Sequence, residues 1–141
     1  MIVVMAVIGL LVSMSLPSLT GYAQQARLKA ATRETMGLLS LARSMAISSR
    51  ASRKVIVDPA AGQLSIEASS DQDRPHMVKL GPGIVATVEV QGQVGGAQGI
   101  SEIVFQPTGA LAGRSVTLRL SNGKRTQAIT VTATTGSILV E

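Results

Sequence analysis

The first sixteen residues form an uncharged apolar segment. Residues 1–16 read MIVVMAVIGLLVSMSL, and Ser13 and Ser15 are their only polar side chains. A helix without a polar face lies in lipid or in a fully buried core. Sixteen helical residues span about 24 Å, less than the roughly 30 Å of a bilayer's hydrocarbon layer. The segment also starts without the basic stretch typical of a signal peptide. We interpret it as a truncated membrane helix; the alternatives are a signal-peptide core and a buried soluble helix.

The helical pattern continues beyond this segment. Pro17 removes one hydrogen bond of the helical ladder and Gly21 is a second weak point, so a kink or a locally melted turn is predicted there. Farther along, small and apolar residues recur at steps of three and four and form one stripe: Leu28, Ala31, Thr35, Leu38, Leu39, Ala42, Met45, Ala46 and Ser49. The opposite face is polar and small: Lys29, Arg33, Gly37, Ser40, Ser44 and Ser48.

From Arg53 onward the pattern changes from helical to alternating. Residues 121–124, Ser-Asn-Gly-Lys, predict a tight hairpin turn in which both central residues tolerate positive φ. The glycines within 92–99 predict a flexible loop. Strands are predicted at 54–58, 63–67, 78–80, 84–91, 100–106, 114–121, 125–133 and 137–140.

Three regions follow from these patterns. Residues 1–24 are the transmembrane half of the helix, residues 25–52 are an amphipathic half packed on a head, and residues 53–141 are a β-sheet head. The predicted architecture is therefore α+β, with a long N-terminal helix and a head of about seven short strands.

The residue inventory offers little for catalysis. The chain has no Cys and one His, so neither a thiol nucleophile nor a zinc site can be assembled. Asp71-Gln72-Asp73 has part of the spacing of a calcium loop but lacks the later Gly and Glu. We predict no catalytic residue, no metal site, no cofactor and no enzymatic activity.

The net charge of +5 is unevenly distributed. Residues 1–54 carry seven basic side chains and one acidic one, whereas residues 55–141 carry six basic and seven acidic ones. Because the basic character belongs to one segment, the high isoelectric point is a poor argument for nucleic-acid binding.

Several short motifs resemble one protein family. Residues 3–11 followed by Pro17 resemble the N-terminal helix of type IV pilins and type II secretion pseudopilins. Three further segments resemble motifs of one branch, the H-type pseudopilins and related minor pilins: Ala42–Ala46, Ile103–Gly109, and Ile129–Val131 with Thr135–Ile138. The signature residues taken from this resemblance are Pro17, Arg43, Phe105, Pro107, Gly109 and Gly136.

The resemblance implies a pilin-like fold, in which a long membrane-spanning helix packs on an all-antiparallel β head. It implies a single-pass protein of the bacterial inner membrane with its head in the periplasm. The implied partners are other pseudopilins or pilins, bound through the N-terminal helix, and prepilin peptidase for the full-length precursor. Family precursors carry a basic leader and a Phe-Thr-Leu-Ile-Glu stretch before the segment that starts at Met1. We expect those residues upstream of this sequence.

Physical arguments assign roles to the motif residues. Pro107 fixes φ and Gly109 permits positive φ, so residues 106–110 predict a turn after a strand. Phe105, the one phenylalanine, is predicted to fill the centre of the head rather than to stack on a ligand. Two alternatives remain open for Arg43, which either contacts a carbonyl or acid of the head or is solvated.

The function that the resemblance implies is that of a minor pseudopilin of a type II secretion system. The alternative is a minor type IV pilin that acts in pilus assembly or DNA uptake. Some relatives bind DNA through basic residues, and the candidates here are Arg114, Arg119, Lys124 and Arg125. The chain ends in the acidic Glu141 and has few aromatic residues for stacking on bases. The sequence therefore favours the secretion role over DNA binding.

Overall fold

A computed structural model describes residues 2–67, 75–91, 93–94 and 101–141, without the side chains of 11–20 and of 93–94. One helix, α1 (Ile2–Ser49), precedes all the strands. It continues through Pro17 and Gly21, so the melted turn predicted there is not present. A single proline removes one ladder bond, and the remaining bonds suffice to keep the backbone helical. The helix ends where Arg50 takes a left-handed conformation, with φ of 51°.

The strands form two antiparallel sheets. The elements are β1 (Arg53–Asp58), β2 (Gln63–Ile66), β3 (Met77–Lys79), β4 (Val85–Val90), β5 (Gln93–Val94), β6 (Ser101–Phe105), β7 (Val116–Ser121), β8 (Thr126–Val131) and β9 (Ile138–Val140). The first sheet has the order β3-β2-β1-β6 and the second the order β5-β4-β7-β8-β9. Every pairing between described strands is antiparallel. Together with α1 they give the predicted α+β architecture, a long helix followed by an antiparallel β head.

The core lies between the helix and the inner faces of the sheets. Burial alternates along the strands, as in β1 and β7, because successive side chains point to opposite faces. Phe105 is fully buried, as predicted. The buried set contributed by the strands includes Val55, Val57, Leu64, Ile66, Ala86, Val88, Ile103, Phe105, Val116, Leu118, Leu120, Ile129 and Val131.

The predicted helical stripe faces this core. Leu28, Ala31, Leu39, Ala42 and Ala46 are buried, whereas the residues of the predicted polar face are exposed. Ser49, the last residue of the predicted stripe, is exposed as well, because the helix ends there. Thr32 is also buried in this stripe, although its polar side chain did not indicate this in the sequence. The Thr32 hydroxyl is accommodated because it donates to the Leu28 carbonyl oxygen at 2.9 Å.

Nearer its N-terminus the helix leaves the head. From Ile2 to Leu10 and from Gly21 to Arg27 its described side chains are exposed. Within the described residues, no helix combines the length and the hydropathy that a membrane span requires. The transmembrane assignment of residues 1–24 therefore stays a prediction.

Two local predictions need correction. The hairpin predicted at 121–124 is present, but its turn differs from the predicted one, and a stretch predicted as a loop contains a strand. The turn between β7 and β8 is a four-residue loop, 122–125, in which Gly123 has positive φ and Asn122 does not. The Asn122 side chain explains this, because its Oδ1 accepts from the backbone N–H groups of Lys124 and Arg125 at 3.1 and 2.8 Å. The second error is β5, which lies inside the stretch predicted as a loop and pairs with the end of β4.

Candidate functional site

Arg43 joins the helix to two separate turns of the head. Its Nε donates to the Gly109 carbonyl oxygen at 3.1 Å, and its Nη2 donates to the Thr135 carbonyl oxygen at 2.9 Å. The guanidinium therefore bridges two main-chain acceptors that lie 26 residues apart in the sequence. Of the two alternatives left open for Arg43, the structure shows the first, a contact with carbonyl oxygens of the head. We refer to Arg43, Gly109, Thr135 and Gly136 as the helix–head junction.

The first acceptor belongs to the turn that follows β6. The Gly109 N–H donates to the Gln106 carbonyl and the Gln106 N–H donates to the Ala110 carbonyl, both at 2.8 Å. Gly109 has a φ of 82°, which favours glycine. This is the turn predicted from Pro107 and Gly109. Pro107 itself is exposed, so its contribution is conformational and not a matter of packing.

The second acceptor belongs to the turn between β8 and β9. The Gly136 N–H donates to the Thr132 carbonyl at 2.8 Å, and the Thr132 N–H donates to the Ser137 carbonyl at 2.9 Å. Gly136 has a φ of 62°. In this turn the Thr135 carbonyl oxygen is available to accept from Arg43.

The two glycines also allow the two turns to approach each other. A Cβ added at Gly136 would overlap the Gly109 carbonyl oxygen and would lie 3.1 Å from Arg43 Nε. A Cβ added at Gly109 would lie 2.8 Å from Ile47 Cδ1. Three of the sequence motifs thus meet at one point, and any side chain at Gly136 is excluded by the backbone of the facing turn.

Phe105 supports the junction from inside the head. It pairs with Arg53 across β1 and β6 and forms an isolated bridge with Leu111. The Leu111 N–H in turn donates to the Ala133 carbonyl at 2.9 Å, which ties the first turn to the end of β8. Pro17, the remaining signature residue, lies on the projecting part of α1, far along the chain from this cluster.

The four basic residues considered for DNA binding do not come together. Arg119 Nε pairs with Glu89 Oε2 at 2.9 Å on the outer face of the second sheet. Arg114 lies before β7 and donates to the Gln91 carbonyl at 3.3 Å. Lys124 and Arg125 lie at the other end of β7, in the 122–125 loop. The structure therefore groups only Lys124 with Arg125.

The groups that could do chemistry are scattered. Among the described residues no three His, Cys, Asp or Glu side chains are grouped closely enough to hold a metal. Asp71 and Asp73, the possible calcium-loop residues, lie outside the described part of the chain, and His76 is exposed. Lys54 lies between Glu102 and Glu67, at 3.3 and 3.6 Å. The hydrogen bond and charge of Glu102, with a smaller effect of Glu67, raise the pKa of Lys54. This keeps the amine protonated, the opposite of what a catalytic lysine needs.

The groove beside the junction has a volume of about 380 Å³. Ser40, Arg43, Ser44, Ile47 and Ser48 line it, so it contains hydroxyl groups and one guanidinium but no carboxylate, imidazole or thiol. The arrangement can hold a helix in a fixed position on a head. Sequence reasoning missed the Thr135 carbonyl, because a main-chain acceptor has no side-chain signature.

Comparison with solved structures places the fold among pilin-like subunits. The chain is 21% identical to FimU, a type IV minor pilin of Pseudomonas aeruginosa, with a TM-score of 0.64 over 85% of this chain and 92% of that one. A second crystal form of FimU gives 20% identity, a TM-score of 0.59, and coverage of 80% and 91%. EpsH, a minor pseudopilin from the type 2 secretion system of Vibrio cholerae, is 13% identical, with a TM-score of 0.61 and coverage of 82% and 96%.

The sequence comparisons are more specific about the family. No curated protein sequence matches the chain. A family model described as type II transport protein GspH matches residues 31–136, which is about three quarters of the chain and includes the whole helix–head junction. The chain therefore belongs to the GspH family of type II transport proteins.

Proposed function

We propose that the chain is a minor pseudopilin, a structural and non-enzymatic subunit of the pseudopilus that a type II secretion system uses to export proteins. In this proposal α1 anchors the subunit in the bacterial inner membrane, and the β head lies in the periplasm. Membership of the GspH family supports the assignment of the chain to a type II secretion system. The observation that carries the proposal is the uncovered apolar part of the helix: Ile2 is 86% exposed, Met5 77% and Leu10 64%.

The energetics of that segment require a partner. Seven large apolar side chains between Ile2 and Leu10 are more than half exposed. Burying each of them is worth about 1.5–3 kcal/mol, so their burial together contributes on the order of 10 kcal/mol. Lipid can provide this burial for a single subunit, and neighbouring helices can provide it in a filament. The same surface would thus serve as membrane anchor and as contact with other pseudopilins or pilins.

The helix–head junction would connect the anchoring half of α1 rigidly to the head. Because Arg43 and the buried stripe fix the second half of α1 on the head, a force on the projecting half is transmitted to the head. Leu39 is fully buried in this interface. A charge there would have to be desolvated without a partner, which separates helix from head.

Gene deletion and complementation in the native host test this function. We expect deletion to abolish export of type II substrates, measured as enzyme activity in the culture supernatant. The wild-type gene and an Arg114→Gln variant, altered at an exposed side chain, should restore export, whereas Leu39→Glu should not. Undiminished export in the deletion strain would refute the proposal.

A second candidate function is that of a minor type IV pilin, including a role in DNA uptake. The structural likeness to FimU favours it, since its TM-score is similar to that with EpsH. The same deletion strain distinguishes the two functions when surface pili and transformation frequency are counted beside export. Loss of pili with normal export would replace the first proposal by the second.

A further inference from the structure

Two loops of the head lie against α1 where the helix leaves it. Asn122 Nδ2, in the 122–125 loop, donates to the Gln24 carbonyl oxygen at 3.4 Å. The same loop and the turn at Pro82 and Gly83 line a cleft of about 90 Å³ with Gln24 and Arg27. On the other side of α1, Arg125 lines a cleft of about 340 Å³ with Gln25, Leu28 and Lys29. The tip of the β7–β8 hairpin is therefore at the end of the head nearest the apolar part of the helix.

This end of the head carries four basic side chains, which we call the basic rim: Arg27, Lys29, Lys124 and Arg125. All four are exposed. Within the described part of the chain, no carboxylate forms an ion pair with any of them, whereas Arg119 pairs with Glu89 and Lys54 with two glutamates. The basic rim therefore keeps its charge available for an external anion.

The charge of the rim also depends on acidic residues in the elements that carry it. Along α1 the one acidic residue is Glu34, about 7.5 Å beyond Lys29 in the direction away from the apolar end. The strands of the hairpin, β7 and β8, contain no acidic residue, and the C-terminal Glu141 pairs through its backbone with Ala128 in β8. Neither lies between the rim and the projecting helix.

Tyr22 lies between the apolar segment and the basic rim. It is the one tyrosine of the chain and is 76% exposed, so the head does not cover it. Tyrosine is enriched at the headgroup level of membranes, where its ring is apolar on one side and its hydroxyl reaches water. Arg27 and Lys29 follow Tyr22 by about 7.5 and 10.5 Å along the helix axis. With Tyr22 at headgroup depth, Arg27 lies within roughly one Debye length of the surface, about 8 Å, and the long side chain of Lys29 can extend back toward it.

We propose that the basic rim binds the anionic headgroups of phospholipids and holds the head against the membrane surface. This inference rests on the proposed membrane anchoring of α1. Each Lys or Arg near an anionic surface increases binding about fivefold. Lys124 and Arg125 extend the contact from the helix to the head, so two parts of the molecule would meet the surface together. DNA phosphates offer similar chemistry, but the location at the base of an apolar helix, next to an exposed Tyr22, favours lipid.

Site-specific fluorescence can measure this contact in the full chain. The chain has no cysteine, so Thr126→Cys, at an exposed position beside Arg125, gives a unique labelling site. The labelled protein is reconstituted into vesicles of phosphatidylcholine alone or with one third phosphatidylglycerol. Each vesicle contains a trace of lipid with a nitroxide on its headgroup, which quenches the label when the head docks.

We expect stronger quenching in the anionic vesicles, and its loss at high salt. Lys124→Gln with Arg125→Gln should lower the ratio of docked to undocked head about 25-fold, from two fivefold effects. The matched control is Arg50→Gln with Arg114→Gln, which removes the same charge from two exposed positions. Arg50 lies about 35 Å from Arg27 along the helix, and Arg114 lies at the opposite end of β7 from the hairpin. The control should change the ratio less than twofold.

Three outcomes would overturn the inference. Equal quenching in both kinds of vesicle would exclude recognition of anionic lipid. Equal effects of the two double variants would show that net charge, and not the basic rim, is responsible. Binding of a 30-base-pair duplex that is lost in the Lys124 and Arg125 variant, without a lipid effect, would assign the rim to nucleic acid. Failure of the proposed anchoring is a separate result, since the chain would then not float with the phosphatidylcholine vesicles.

Discussion

Gly136 and Gly62 form a matched pair for testing the helix–head junction. Both have a φ of 62°, so an alanine at either position has to adopt the same positive φ. A Cβ at Gly62 has no atom within 4 Å, whereas a Cβ at Gly136 would overlap the Gly109 carbonyl oxygen. The difference between Gly136→Ala and Gly62→Ala therefore isolates the close approach of the two turns from the conformational cost of alanine.

The expected magnitudes follow from the contacts. Left-handed strain costs about 1–2 kcal/mol at both sites, and the lower entropy of the unfolded chain offsets about 0.4–1 kcal/mol of it. Gly62→Ala should therefore lose about 1 kcal/mol. At Gly136 overpacking adds about 1–3 kcal/mol. Displacing the turn also weakens the two hydrogen bonds of Arg43, which are partly solvated and worth about 1–1.5 kcal/mol each. Gly136→Ala should lose about 4–7 kcal/mol if both hydrogen bonds are lost.

Urea unfolding of the full chain in mild detergent, followed by circular dichroism, measures both variants. We also expect Arg43→Ala and Gly136→Ala to be less than additive, with a coupling of about 1–2 kcal/mol, because both act on the same hydrogen bonds. Equal losses of stability for Gly136→Ala and Gly62→Ala would refute the reasoning. Full additivity with Arg43→Ala would show that the clash does not act through the bridge.

Three further predictions concern α1. Arg43→Lys should lose about 1–2 kcal/mol of unfolding free energy, because an ammonium cannot span both carbonyls as the guanidinium does. The control Arg33→Lys, on the exposed face of α1, should change the unfolding free energy by less than about 0.5 kcal/mol. Equal urea midpoints for the two variants would contradict the bridging role of Arg43. Thr35→Val should raise the unfolding free energy by about 1 kcal/mol, because its buried hydroxyl has no hydrogen-bond partner among the described residues. Thr32→Val, which loses the bond to Leu28, should not be stabilising, and a gain at Thr32 equal to that at Thr35 would refute this explanation. Residues 25–141 should form a soluble monomer by size-exclusion chromatography, since the head covers the apolar stripe of α1. Aggregation of this fragment, while the full chain stays soluble without detergent, would contradict the proposal that residues 1–24 anchor the protein in a membrane.

The sequence by itself determined the helix, most of the strands and the buried face of α1. These features depend on periodicity, and a period of 3.6 or 2 is a property of neighbouring residues along one chain. The GspH-type motifs likewise identified Arg43, Gly109 and Gly136 as related positions before their contacts were known. The sequence also placed Phe105 correctly, because a large aromatic side chain in an aliphatic core has few alternatives.

The tertiary structure decided which of these residues meet. Arg43 binds carbonyl oxygens, and every residue carries such an oxygen, so the acceptors at Gly109 and Thr135 could not be distinguished from any others in the sequence. The sequence likewise does not show which basic residues form ion pairs. Arg119 and Lys124 are equally basic in the sequence, but strand register pairs Arg119 with Glu89 and leaves Lys124 beside the helix. Periodicity is a local property that can be read directly from the sequence. A contact between distant segments depends on their separation in space, and this separation is set only when the chain folds.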